Sequence, residues 1–304
     1  MSHDHDHDHD HAPPDRMTKA FAIGIALNIA FVVLGVAAGL VAHSTALLAD
    51  AAHNFGDVLG LGMAWGAMVL AKRACTTRRT YGLRRTTILA ALANGGLVLV
   101  AIGGVVVEAV QRINAPHAVD GALVAVVAAI GVVLNGVSAL LFAKGRDKDM
   151  NQRGAFLHLV ADAAVSAGVV IAGVIVWKTG WSWVDPVTSI AVSLVILRGT
   201  WRLLREAFDL LTDAVPEHID PVVVEKFLAE LPDVRAVHDL HIWSMSTTEV
   251  ALTAHIELPW PEHQPAFLVT LRHDLEHRFG IHHITLQFED CVGVNCAQAS
   301  AQSV

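Results

Sequence analysis

Six runs of roughly 20 apolar residues, each long enough to cross a lipid core about 30 Å thick, occupy the first two thirds of the sequence. They can be drawn at 20–41, 46–71, 87–110, 121–143, 151–177 and 185–205. In hydrocarbon every backbone N–H and C=O must be satisfied inside the protein, so runs of this length have to be α-helices. Only 16% of the 304 residues are charged, against about 25% in soluble domains. The chain therefore reads as a polytopic membrane protein, and its many Gly, Ala and Ser residues allow helices to pack closely in lipid. The first run is too long for a signal-peptide core and is followed by no cleavage site, so it is read as a span.

Orientation follows from the Lys and Arg content of the short loops. Lys72, Arg73, Arg78, Arg79, Arg84 and Arg85 lie between the second and third runs, and Lys144, Arg146, Lys148 and Arg153 between the fourth and fifth. The opposite connections carry only Arg112 and Lys178. Both termini are therefore expected in the cytoplasm, and Trp177, Trp181 and Trp183 at an interfacial aromatic belt.

Two of the spans carry ionisable groups in a repeated pattern. LLADAAHNFGD places His53 four residues before Asp57, and FLHLVAD places His158 four residues before Asp162. Positions i and i+4 share one helix face, so each span offers an imidazole and a carboxylate in one direction. The second span runs inward and the fifth outward. At about 1.5 Å per residue, both carboxylates lie roughly 16 Å from the surface where their span begins, near the bilayer midplane. An ionised group at that depth costs about 2.5–3.5 kcal/mol on insertion scales, so it faces the bundle interior and marks a transport path. Two imidazole nitrogens and two carboxylate oxygens suit a tetrahedral divalent ion, Zn2+ above all. The alternative is structural: two buried polar pairs that hydrogen-bond each other. Asp50, one turn before His53, sits nearer the outer interface, where it suits an access or supporting role.

Other polar positions carry less. Asn94, Glu108, Asn135 and Ser138 in the third and fourth spans are read as interhelical hydrogen-bonding groups. Asp185–Pro186 suits an interfacial helix start, with proline in the first turn.

Beyond about Glu206 the pattern changes. PEHIDPVVVEKFLAELP reads as a helix, VRAVHDLHIWSM and TEVALTAHIEL as strands, QPAFLVTLRHDLEHRFG as a helix and HHITLQFED as a strand. The order αββαβ predicts a small ferredoxin-like α+β domain with its helices on one face of the sheet. In the second strand Val250, Leu252, Ala254 and Ile256 alternate with Thr253, His255 and Glu257, which puts His255 on the polar face. Glu289 falls on the polar face of the last strand. His238 shares parity with Leu240 and Ile242, which argues against its reaching that face. The expected organisation is a His/Asp-rich tail over 1–19, a six-helix membrane domain over 20–205, a cytoplasmic domain over 206–292 and a tail over 293–304.

Three remaining features carry weaker signals. HDHDHDHDH at the N-terminus cannot fold for want of apolar groups. It is either a divalent-metal-binding tract or a solubilising tail. The three cysteines, Cys75, Cys291 and Cys296, are too scattered for a disulfide framework, though Cys291 and Cys296 could join an N-terminal histidine at a metal. HDLEH (273–277) matches a metallopeptidase pattern, but it sits in a small domain with no third ligand, so a solvated helix face is expected. The net charge of −8, with no basic surface, argues against nucleic acid as a partner.

The runs HSTALLADAAHNFGD, TYGLRR, AFLHLVADAAVSAGVV, WVDP and VHDLHIWSMSTTEVALTAHI resemble the cation diffusion facilitator family in its zinc-transporting branch, from about Ala20 to Glu289. The resemblance implies a homodimeric, proton-coupled exporter that holds transported zinc at His53, Asp57, His158 and Asp162. It also implies a metal site in the cytoplasmic domain, which His238, His255 and Glu289 match by position. The loop between the second and third spans has no His or Asp, so the further loop site of some members is expected to be missing.

Metal ligands must be deprotonated, which links affinity to pH, and free imidazole titrates near pH 6.5. The residues thus support a divalent-metal/proton antiporter for Zn2+, with Cd2+ or Co2+ also suited and Mn2+ preferring more oxygen. No G-x-x-x-x-G-K-[ST] loop is present for an ATP-driven pump. Four protein ligands leave no open metal position for hydrolytic chemistry, so an enzyme is not expected. The rival reading is a metal-sensing or metal-dependent membrane protein without transport.

Overall fold

A computed structural model of the protein describes residues 15–115, 117–143, 150–259 and 264–290. The six predicted runs become helices α1 (Asp15–Val41), α2 (Thr45–Ala71), α3 (Thr86–Asn114), α4 (Gly121–Ala143), α5 (Met150–Thr179) and α6 (Val184–Leu211). They are followed by α7 (Pro221–Ala229), β1 (Ala236–Ser244), β2 (Val250–Glu257), α8 (Gln264–Phe279) and β3 (Ile281–Glu289). Helices α2 to α6 contain apolar stretches of spanning length, and α1 contributes the shorter apolar stretch Ala26–Val41. Helix α6 continues to Leu211, beyond the predicted end at 205. The chain separates into two compact units, one from the described parts of 1–59 and 97–198, the other from those of 60–96 and 199–304.

In the first unit one apolar cluster draws on every membrane helix: Phe31 from α1, Leu47 from α2, Ile102 from α3, Val127 from α4, Val169 from α5 and Ile196 from α6. Val33, Val100, Val126 and Leu194 point outward instead and are exposed, as a surface facing acyl chains requires. Helices α4 and α5 approach closely at paired glycines. A Cβ on Gly121 would lie 2.5 Å from the Gly173 carbonyl oxygen, and one on Gly173 would lie 2.7 Å from the Ala125 nitrogen. Small residues at such crossings let backbones meet in lipid.

The start of α2 is fixed by an acidic side chain from α6. Buried Asp185 accepts from the Ser44 hydroxyl, the Thr45 amide at 2.6 Å and the Thr45 hydroxyl at 2.9 Å. The first amides of a helix have no intrahelical acceptor and carry a partial positive charge, so a carboxylate satisfies both needs. Ser44 Oγ in turn accepts from the Leu47 amide at 3.1 Å. Two readings of the membrane polar groups change. Glu108 pairs with Arg112 at 2.8 Å, four residues along its own helix. Asn135 Nδ2 is buried without a hydrogen-bond partner among the described residues. Trp177, Trp181 and Trp183 are exposed, with Trp181 and Trp183 stacked at 6.0 Å.

The second unit contains the α+β domain, a three-stranded sheet in the order β1-β2-β3 with β1/β2 antiparallel and β2/β3 parallel. Val224 and Leu228 of α7 and Leu271 and Leu275 of α8 bury against Leu252, Ile256 and Ile281. Asp220 caps α7 by accepting from the Val222 amide at 2.9 Å, and Pro221 holds the first helical position, a pairing favoured at helix starts. The loop between α2 and α3 is tied down within this unit: Arg84 pairs with Glu249, and Arg85 with Asp213 at 2.5 Å.

Candidate metal centre

Helices α2 and α5 present the two His-x-x-x-Asp motifs to each other. His53 Nε2 stands 2.9 Å from Asp162 Oδ1 and 3.9 Å from Asp57 Oδ2. His158 Nε2 stands 3.6 Å from Asp57 Oδ2 and 3.4 Å from Asp162 Oδ2. One ligand atom each from His53, Asp57 and Asp162 falls within a 4.8 Å cluster able to hold a metal ion. His158 reaches both carboxylates from the side, its ring centroid 6.3 Å from that of His53. All four sequence-predicted residues are thus brought together.

Exposure across the cluster is graded. The side chain of His158 is 53% exposed, Asp57 30%, His53 17% and Asp162 6%. The i+4 spacing produces this order, because Asp57 and His158 sit at one end of the antiparallel pair and His53 and Asp162 one turn further in. Polar contacts cross between α2 and α5 at a third level: the Ser166 hydroxyl donates to Asp50 at 3.1 and 3.3 Å. Asn54 Nδ2 donates to the Asp50 carbonyl at 2.8 Å, while Asn54 Oδ1 is buried without a partner among the described residues.

A second group forms on the open face of the sheet, where His238, His255 and Glu289 place ligand atoms within 4.8 Å of one another. His255 Nδ1 is 3.0 Å from Glu289 Oε1, and His238 Nε2 is 3.3 Å from Glu289 Oε2. Both of these ring nitrogens are buried and neither makes a hydrogen bond. Two buried imidazole nitrogens converging on one carboxylate are a donor set that suits Zn2+.

A β-bulge carries His238 onto the face of His255 despite its shared parity with Leu240 and Ile242. His238 pairs with His255, yet His241 pairs with Thr253, so β1 carries one extra residue between them. Asp239 takes the left-handed conformation there, with φ of 51°. The bulge reverses the alternation, placing Leu240 and Ile242 out of phase with His238. It also delivers Asp239 to the group: Oδ2 lies 3.5 Å from His255 Nε2 and Oδ1 3.0 Å from His241 Nε2. Sequence reasoning missed Asp239. A carboxylate beside a candidate ligand in a strand that must bulge was the available signal. His273 and His277 of the HDLEH motif lie exposed on α8, while Leu271 and Leu275 face the core. Cys291, Cys296 and the His/Asp tail lie outside the described residues.

Apolar helices that pack a His/Asp cluster between two of their number, followed by a small α+β domain, define a multi-pass membrane protein with metal-binding groups inside its helices. The chain belongs to the cation efflux family. Residues 21–212 match its cation efflux transmembrane domain, and residues 216–291 match the cation efflux protein cytoplasmic domain. It is 34% identical over 291 residues to the metal cation efflux system protein CzcD of Cupriavidus metallidurans, covering 95% of this chain and 90% of that one. It is 34% identical over 300 residues to the zinc transporter ZitB of Escherichia coli, covering 97% and 96%. It is 31% identical over 277 residues to a cadmium, cobalt and zinc/H(+)-K(+) antiporter of Bacillus subtilis, covering 89% and 88%.

Proposed function

We propose that the protein exports Zn2+, and with it Cd2+ or Co2+, from the cytoplasm in exchange for protons by alternating access. The observation that carries this reading is the convergence of two imidazoles and two carboxylates, between 2.9 and 3.9 Å apart, from α2 and α5. His53, Asp57, His158 and Asp162 are the transport ligands. Two carboxylates balance a divalent charge, which makes the loaded site tolerable in low dielectric. Metal binding displaces protons from the same groups, and external protons displace the metal after reorientation. The names of the CzcD, ZitB and antiporter relatives support metal efflux with this metal range.

The same reading places both termini in the cytoplasm, on the Lys and Arg distribution, and makes the protein a homodimer, on its resemblance to the family. His238, His255 and Glu289 hold a resident Zn2+ that, when bound, cross-links the three strands and reports cytoplasmic metal to the transporter. Asp239 beside His255 orients that ring, as outer carboxylates do for metal-bound histidines.

The test is metal-dependent proton flux in everted vesicles or proteoliposomes. Zn2+ added outside everted vesicles is taken up with release of protons from the lumen, and Asp57→Ala or Asp162→Ala abolishes both fluxes. Undiminished flux in the two variants would exclude this site.

A further inference from the structure

The contact between Asp50 and Ser166 belongs to neither metal group. It is the end member of an ordered ladder across the α2/α5 seam: Asp57 faces His158, His53 faces Asp162, and Asp50 faces Ser166. A serine hydroxyl is a poor ligand for Zn2+ beside imidazole and carboxylate, so this third rung needs another role. Its burial provides one. Asp50 is 1% exposed and Ser166 0%, at the end of the seam opposite the exposed His158 and Asp57. Helix α4 closes over the hydroxyl, since a Cβ at Gly131 would come within 3.1 Å of Ser166 Oγ and 2.5 Å of the Phe31 ring. The metal cluster is therefore open at its Asp57–His158 end and sealed at its Asp50–Ser166 end.

We infer that the Asp50–Ser166 hydrogen bond is the outer gate of the transport site: it holds α2 and α5 together above the metal and must break for release. The inference rests on the alternating-access reading and adds to it the pair of residues that keeps one side shut. The chemistry suits a gate. The donor that reaches the Asp50 carboxylate among the described residues is a single neutral hydroxyl, bifurcated over both its oxygens. Such a contact closes a seam in a dry layer yet separates without leaving a charged donor unpaired. Asp50 and Ser166 are thus positioning residues. They set the spacing of the helices that carry the ligands, and they do not touch the ion.

Two arms test this in the full chain in proteoliposomes. In the first, Asp50→Cys with Ser166→Cys, in a background where Cys75, Cys291 and Cys296 are serine, is bridged through two disulfides by a short bis-methanethiosulfonate reagent. Bridging is expected to leave Zn2+ binding intact, stop Zn2+ flux, and be reversed by reductant. Continued flux through the bridged protein overturns the gate. In the second arm Ser166→Ala, which preserves packing, is expected to leave the half-saturating Zn2+ concentration unchanged. It lowers the maximal flux about tenfold, the scale of an ordinary coupling energy, and raises hydrogen exchange in the stretches around residues 47–52 and 164–169. Wild-type flux and exchange in Ser166→Ala also overturn it, and this arm decides if the double-cysteine protein fails to transport before bridging. The underlying reading fails separately: Asp57→Ala would then bind and carry Zn2+ like the parent, whatever the gate variants do.

Discussion

His53 Nε2 and Asp162 Oδ1 stand 2.9 Å apart although 109 residues separate them in the sequence, so the two ligand motifs meet through packing and not through local geometry. Asp162 is the most buried of the four candidate ligands, and its carboxylate lies 2.9 Å from the His53 ring and 3.4 Å from the His158 ring. Removing its charge while keeping the side chain's shape isolates its contribution. Asp162→Asn is expected to weaken Zn2+ binding by about a hundredfold, a loss of roughly 2.7 kcal/mol. Isothermal titration of the detergent-solubilised protein measures it, and a loss below about threefold would remove Asp162 from the ligand set.

Proton linkage has a definite sign. Metal binds the deprotonated forms of His and Asp, so Zn2+ affinity should rise with pH and fall as the ligands protonate. Protons released on binding are taken up by the buffer, so the apparent enthalpy should vary linearly with the buffer's ionisation enthalpy. The slope of titrations run in several buffers at one pH counts the protons released, and a zero slope would rule out exchange at these groups.

Much of this arrangement is legible in the sequence, for identifiable reasons. The spans are legible because a lipid core leaves helices as the only solution for long apolar runs, and the candidate ligands because charge inside such runs is costly. The face of His255 follows from the strict alternation of β2. What stays hidden depends on geometry beyond simple alternation and hydropathy. The bulge at Asp239 overturns the parity of His238, and the partner of Asp50 lies 116 residues away in Ser166; the Glu108–Arg112 pair, by contrast, is legible as an i,i+4 spacing. The continuation of α6 to Leu211 is hidden as well, because hydropathy marks where the apolar run ends and not where the helix ends.

The sheet site should stabilise the α+β domain when filled. The buried nitrogens of His238 and His255 converge on the Glu289 carboxylate at 3.3 and 3.0 Å, and an ion that binds only the folded form adds about 2.7 kcal/mol at a hundred times its dissociation constant. Zn2+ is therefore expected to raise the unfolding temperature of the domain and a strong chelator to lower it. His255→Ala should abolish the difference. Asp239→Asn should retain it with affinity reduced about tenfold or more, as loss of a carboxylate that orients a metal-bound histidine does. Calorimetry of the parent and both variants distinguishes these outcomes.

Asp185 anchors the helix that carries His53 and Asp57. Asp185→Ala strands the Ser44 and Thr45 donors in a buried layer, where each unsatisfied group costs about 1–3 kcal/mol. The variant is expected to lower the unfolding temperature measurably. It should also reduce transport through disorder at the start of α2, with Asp185→Asn intermediate because it retains one acceptor oxygen. A thermal unfolding series that ranks the parent above Asn and Asn above Ala supports the cap, and equal stability of all three excludes it.

The α4/α5 crossing supplies a prediction in which neighbouring glycines should behave oppositely. Adding one methyl group at Gly121 would put carbon 2.4 Å from the Trp177 backbone nitrogen and 2.5 Å from the Gly173 carbonyl oxygen. Backbone atoms cannot swing aside as a side chain can, so the helices must separate, and overpacking of this kind costs about 1–3 kcal/mol. Gly168, on the same helix as Gly173, has nothing within 4 Å of the position its Cβ would take. There alanine meets no obstacle and gains helix propensity of up to about 1 kcal/mol in aqueous scales. Gly121→Ala should therefore unfold at a lower temperature than the parent, and Gly168→Ala at the same or a higher one. Because Gly121 and Gly173 share the crossing, Gly121→Ala combined with Gly173→Ala should fall short of the sum of the single losses, the helices having already parted. Circular dichroism of the parent, the three single variants and the double variant through thermal unfolding tests the whole pattern. Equal stability of the Gly121 and Gly168 variants would mean that the two backbones do not meet.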